Sequence, residues 1–71
     1  MNSNLLKSII KLHRDTQEKL SEALGISLSN LNDKINGKKA SFRQTEIMAI
    51  KERYNLTAKE IEEIFFADEL S

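Results

Sequence analysis

The chain has 71 residues, with 11 basic and 11 acidic side chains, one His and no Cys. A domain of this size buries only about 60% of the surface that its unfolded chain exposes, which argues against an enzyme with a deep active site. Without Cys there can be no disulfide or thiolate metal site, and a single His cannot hold zinc alone. Apolar runs fall far short of the roughly 20 residues of a membrane span, and no signal peptide is recognisable, so we expect a cytoplasmic protein.

The charges are divided unevenly along the chain. Residues 1–43 carry eight basic and four acidic side chains, a net charge of +4, whereas residues 44–71 carry three basic and seven acidic ones, a net charge of −4. A basic half suits a nucleic acid, and an acidic half suits a basic protein surface. The alternative is two solvated surfaces with a chance bias.

Apolar spacing and capping residues predict two helices in the first third of the chain. The first runs from about Asn4 to His13, with apolar residues recurring at helical spacing. The second has Thr16 as its N-cap and ends at Gly25, which supplies the left-handed conformation of a helix C-terminus.

Three further helices are predicted in the rest of the chain. Ser27 caps the third, which stops at Gly37, and Ser41 is the predicted cap of the fourth. Thr57 and Glu60 form a capping box for a fifth helix that ends near Phe66. There is no Pro, no linker-like stretch and no strand-like alternation. We therefore expect an all-α fold with five short helices around one small core, as a single domain over residues 1–71.

Residues 17–37 have the pattern of a helix–turn–helix. Leu20 and Leu24 point inward from the first helix of the motif, and Leu31 and Ile35 do so from the second. Gly25 makes the turn between the two helices, Ile26 fills the space between them, and Ser21 is small where they approach closely. Such a unit projects its second helix outward, where it can enter a major groove.

The segment resembles the helix–turn–helix of the lambda-repressor-like (Cro/repressor, XRE) family. The residues that carry the resemblance are Thr16-Gln17-Glu18, Leu20, Leu24-Gly25-Ile26-Ser27, Ser29, Leu31 and Asn36-Gly37-Lys38. Downstream, Phe42-Arg43-Gln44, Glu46-Ile47 and the stretches Glu60-Ile61 to Phe65-Phe66 resemble small regulators of Gram-positive temperate phages, Cro-like or of the modulator-of-repression type. The resemblance implies a DNA-binding regulator of a lysogenic/lytic switch in a bacterial host cell.

The resemblance also implies roles for individual residues. Base edges would be faced by Leu28, Ser29, Asn32 and Asp33, and phosphates would be bound by Gln17, Asn36, Lys38, Lys39 and Arg43. Leu28 stands where better-known members carry Gln, so its role in DNA binding would be apolar contact with a thymine methyl. Solvation of Asn32 and Asp33, and a pure capping role for Ser27, are the structural alternatives.

Lys34 is a second departure from the family pattern, since many relatives have an apolar residue there. We expect Ile35 to take over its packing role.

A second hypothesis is an antirepressor or co-repressor that binds a larger phage repressor. The acidic half of the chain could dock on the basic DNA-binding face of that protein, and an exposed Phe could anchor the contact. The candidate residues for this contact are Leu28, Glu60, Glu62, Glu63, Phe65, Phe66, Asp68 and Glu69. Because Phe65 and Phe66 are consecutive in a helix, only one of them can close the core.

No constellation of residues indicates catalysis. Glu62 and Glu63 are consecutive helical residues that point in different directions, and they are interpreted as a solvated face. We expect a non-enzymatic protein with no cofactor, no metal and no small-molecule substrate. The expected partners are double-stranded DNA, a phage repressor and a second copy of the chain, because one such module contacts only a half-site.

Overall fold

A computed structural model describes residues 1–38 and 40–66 of the chain. These residues form five helices: α1 (Ser3–Leu12), α2 (Gln17–Leu24), α3 (Leu28–Asn36), α4 (Gln44–Arg53) and α5 (Ala58–Phe65). No strand occurs among them. The expected all-α fold of five short helices is therefore confirmed.

Local side-chain chemistry sets most helix ends where the sequence predicts them. The hydroxyl oxygens of Thr16, Ser27 and Thr57 accept backbone N–H bonds at the starts of α2, α3 and α5. Gly25 and Gly37 follow α2 and α3 with φ of +71° and +66°, the left-handed region that favours glycine. The capping hydroxyls and the two glycines thus determine where these helices begin or end.

The predicted start of the fourth helix is wrong. Ser41 does not cap it, because α4 begins at Gln44 with Arg43 in the cap position. The carboxylate of Glu46 accepts the backbone N–H of Arg43 at 2.8 Å, and Phe42 packs partly buried against the core. These two contacts accompany an extended backbone at Arg43, so the helix starts two residues later than a cap at Ser41 would place it.

One small core joins all five helices. Its fully buried members are Leu6, Leu20, Leu31, Ile35, Ile50 and Ile64. The closest packing on α3 comes from α2 and α1, and α1 also packs on α5. The backbone N–H of Asn2 donates to the carbonyl of Ile64 at 2.6 Å, which ties the start of α1 to the end of α5.

A hydrogen-bonded ion pair joins the α1–α2 connection to the end of α4. The guanidinium of Arg53 donates to both carboxylate oxygens of Asp15, at 2.8 and 3.1 Å, and the hydroxyl of Tyr54 donates at 2.6 Å. The Arg53 bond, opposed by burial and reinforced by Tyr54, holds the pKa of Asp15 well below its usual value. These groups lie 38 and 39 positions apart in the sequence.

Candidate nucleic-acid interface

The geometry of the turn before α3 aims that helix outward. The backbone N–H of Ile26 donates to the carbonyl of Ser21 at 3.0 Å, and that of Gly25 donates to Glu22 at 3.1 Å. Ile26 is half-buried against the core, and Ser21 is buried where α2 and α3 meet. The turn and the core below it therefore leave one side of α3 free.

That free side of α3 is polar. Ser29, Asn32 and Asn36 are exposed, and Asp33 is half-buried. Leu28 lies at the first position of the helix and leaves 42% of its surface exposed. Ser27 accepts the Asn30 N–H at 3.0 Å, as a capping residue does. Hydroxyl and amide groups on an exposed helix are the groups that can hydrogen-bond to base edges.

The residues predicted to bind phosphates lie at the ends of three helices. Gln17 is the first residue of α2, Asn36 ends α3, and Arg43 precedes α4. Lys38 is exposed beyond Gly37. Lys39 lies outside the described residues. Asn36 and Lys38 thus flank the same helix end, whereas Gln17 lies at the start of the preceding helix.

Lys34 is buried, which the sequence analysis did not predict. Its ammonium donates to both carboxylate oxygens of Glu46, at 2.6 and 2.8 Å. Only 6% of the Lys34 side chain and 9% of the Glu46 side chain are exposed. Ile35 is buried as expected, but it packs alongside Lys34 rather than in place of it.

The Glu46 carboxylate accepts three hydrogen bonds from two groups, the Lys34 ammonium and the Arg43 N–H. Burial alone would raise its pKa, but the Arg43 N–H and the Lys34 ammonium outweigh burial and hold that pKa below its usual value. The group is therefore ionised at neutral pH. It joins α3 to the first turn of α4.

The residues predicted to bind a partner protein lie on α5 and beyond it. Phe65 is half-buried, with its ring edge-on to Phe42 at 5.3 Å, while Phe66 leaves 38% of its surface exposed. Glu62 and Glu63 are exposed, but Glu60 is half-buried and accepts the Thr57 N–H at 2.9 Å, so it also serves as a cap. Asp68 and Glu69 lie outside the described residues.

An apolar groove between α1 and α5 was not predicted from the sequence. Leu5, Ile9 and Leu12 line it together with Glu60 and Glu63, and its volume is about 360 Å³. Leu12 leaves 79% of its surface exposed. Leu12 lies on the side of α1 that faces away from the buried Leu6 and Ile10. An apolar residue at that position is the sequence signal that could have revealed the groove. The acidic side chains give the groove a negative rim.

Two negative findings concern the described residues alone. No group of three or more His, Asp or Glu side chains among residues 1–38 and 40–66 is placed to hold a metal ion. No helix within this part of the chain is long and apolar enough to cross a membrane.

A helix–turn–helix whose second helix presents exposed amides and hydroxyls defines a DNA-binding domain. The family model of the Cro/C1-type HTH DNA-binding domain matches residues 5–66, and the chain belongs to this family. It is thus a double-stranded-DNA-binding protein of the transcriptional-regulator class, a family that is typically non-enzymatic. No curated protein and no solved structure matches the chain significantly.

Proposed function

We propose that the protein reads operator DNA through α3 in the lysogenic/lytic switch of a temperate phage, together with a partner repressor. The observation that carries the proposal is the exposed polar side of α3, on which Ser29 and Asn32 are free of the core. The phage context comes from the resemblance of nearly the whole chain to small regulators of temperate phages. Two copies would be needed to cover two half-sites.

The side chains on α3 differ in what they can recognise. Asn32 can pair bidentately with adenine, Ser29 can bond to several base edges, and Asp33 can accept from the cytosine amino group. Leu28 can contact a thymine methyl, but it cannot form a hydrogen bond. These four side chains could discriminate between bases, but none of them carries a positive charge that would attract DNA.

The remaining attraction to DNA comes from residues at the margins of α3. Gln17 would meet a phosphate at the N-terminus of α2, where the helix dipole favours an anion. Asn36, Lys38, Lys39 and Arg43 would bind the backbone next to the other end of α3. Contacts of this kind position the protein without reading the sequence.

The test compares a base-reading variant with a phosphate-binding one. A duplex is first selected from a random pool with the unchanged protein, and binding to it is compared with binding to random DNA. Asn32→Ala should cost about 1–3 kcal/mol on the selected duplex and little on random DNA, because it removes one base contact. Replacing both Lys38 and Lys39 by Ala should weaken binding to both duplexes and lower the log–log salt slope by about 0.9 per lost phosphate contact.

Two results would argue against this proposal. The first is failure of the unchanged protein to enrich any sequence. The second is an equal loss of affinity for both duplexes in the Asn32 variant, which would exclude base reading by that side chain.

The second candidate function is binding to a larger phage repressor, as an antirepressor or co-repressor. The specific observation in its favour is the apolar groove between α1 and α5, whose rim carries Glu60 and Glu63. Exposed Phe66 and Leu28 add apolar surface outside the groove. We propose that the occupant is the basic DNA-binding face of that repressor, because its charge complements the rim.

Charge reversal distinguishes the two functions. Replacing Glu62 and Glu63 by Lys should slow association with the repressor, most strongly at low salt where screening is weak, and should leave DNA affinity unchanged or higher. The same reversal at exposed Glu18 and Glu22 of α2 is the control, since it changes the net charge equally at a distance from α5. Equal association rates for the two variants would exclude the acidic α5 as the docking surface. Reporter repression in cells with and without the repressor gene gives the functional outcome.

A further inference from the structure

We infer that the buried ion pair of Lys34 and Glu46 is a positioning device, which holds Arg43 in register with α3 for DNA binding. The inference rests on the DNA-binding part of the proposed function. It concerns two residues that the predicted base and phosphate contacts do not include.

The ion pair lies between α3 and the first turn of α4. Lys34 follows Asn32 and Asp33 on α3, but its side chain turns inward and meets Glu46 in the first turn of α4. The same Glu46 carboxylate accepts the N–H of Arg43. A single buried carboxylate therefore connects α3, through Lys34, to the backbone of Arg43.

Few other close contacts join α3 to α4. The helices packed most closely on α3 are α2 and α1, whereas α4 makes few close backbone contacts with it. Lys34, Gly37, Ala40 and Phe42 line an open cleft of about 360 Å³, so the space on that side of Lys34 is not closely packed. Among the described residues, the side-chain hydrogen bonds between α3 and α4 are the two that Lys34 donates.

A buried ion pair contributes little net stability to a fold. Desolvation of two buried charges largely offsets their attraction, and an apolar pair of similar volume is often equally stable. Stability alone does not call for this pair. Unlike an apolar contact, a hydrogen-bonded ion pair fixes the direction and the distance between two groups. A surface that binds successive phosphates requires such fixed geometry.

The test variant removes the charges of Lys34 and Glu46 but keeps an acceptor for the Arg43 N–H. In the double variant Lys34→Met and Glu46→Gln, the amide oxygen of Gln can still accept the Arg43 N–H, and no charge is left buried without a partner. Lys34→Arg retains a positive charge that can pair bidentately with the carboxylate, and it serves as the variant that keeps the ion pair. Ile64→Val, in the core of α5, is the control for a simple loss of stability.

Four quantities are measured for each variant: the melting temperature, the affinity for the selected duplex, the salt slope of that affinity, and the hydrogen-exchange rate of the Arg43 amide. We expect the double variant to melt within a few degrees of the parent, yet to bind the selected duplex about tenfold more weakly, with a salt slope lower by about 0.9. Its Arg43 amide should exchange about tenfold faster. Lys34→Arg and Ile64→Val should resemble the parent in DNA binding.

Parent-like affinity and parent-like exchange in a folded double variant would overturn the inference. If the double variant does not fold, Glu46→Gln alone, which still offers Lys34 an amide oxygen, is judged by the same two readouts. If the unchanged protein selects no duplex, the proposed function fails, and the exchange rate of Arg43, which involves no DNA, still decides the role of the pair.

Discussion

Truncation of Leu31 is the most direct test of the helix–turn–helix packing. Leu31 lies in the middle of α3, and its side chain is completely buried in the core. Replacement by Ala removes the apolar contacts of three carbon atoms and leaves a cavity, at a cost of about 3–5 kcal/mol. A domain of this length has a total stability of about 4–10 kcal/mol, so the variant should retain little of it.

Leu28 gives a matched control, because the same substitution can be made three positions earlier in the same helix. Because 42% of the Leu28 surface is already exposed, its truncation should lower the free energy of unfolding by only about 1 kcal/mol. The structure therefore predicts a difference of about 2–4 kcal/mol between two chemically identical changes.

The assay is urea unfolding at 25 °C followed by circular dichroism, with thermal melting as a second probe. A loss of 3 kcal/mol corresponds to a fall in melting temperature of about 12–24 °C in a domain of this size. Equal midpoints for Leu31→Ala and Leu28→Ala would contradict the packing described for α3. A change in the urea m-value would instead indicate an altered denatured state.

Two further predictions concern the ion pair at Asp15 and the turn at Gly25. Because the pKa of Asp15 is lower in the folded than in the unfolded state, its carboxylate adds stability that is fully present above about pH 4 and is lost as the pH falls through the folded value. Asp15→Asn should therefore be less stable than the parent at pH 7, and the difference should shrink in acid unfolding below pH 4; a constant difference would contradict it. Gly25→Ala should cost about 1–2 kcal/mol, since nothing lies within 4 Å of an added Cβ and only the left-handed backbone, at φ +71°, opposes it. Gly25→Asn should cost less in the same denaturation assay, and an Ala variant as stable as the parent would exclude a left-handed Gly25.

Sequence reasoning predicted the features of this fold that depend on neighbours in the chain. Thr16, Ser27 and Thr57 cap helices because their hydroxyls reach N–H groups three positions ahead. Gly25 and Gly37 end helices because they adopt positive φ at little cost. Such signals are short-range, so they can be read without knowledge of the tertiary structure.

The features that escaped prediction depend on residues that are distant in the sequence. Lys34 was expected to be replaced in the core by Ile35, because lysine is rarely buried unless it is paired, and its partner Glu46 lies 12 positions away. Ser41 was a plausible cap by composition, but that same carboxylate sets the start of α4 at Arg43 instead. The groove at Leu12 exists only once α5 has packed beside α1.

The bond between Asn2 and Ile64 has a consequence for biosynthesis. It joins residues near opposite ends of the described chain, and it completes the docking of α1 on α5. During translation, α1 is synthesised before α5, so the apolar side of α1 remains unpacked until α5 has been made. Loop closure between residues 2 and 64 must wait until α5 has been synthesised, so the final packing of α1 follows the synthesis of α5. A truncation before α5 would leave that apolar side open to aggregation in the cell.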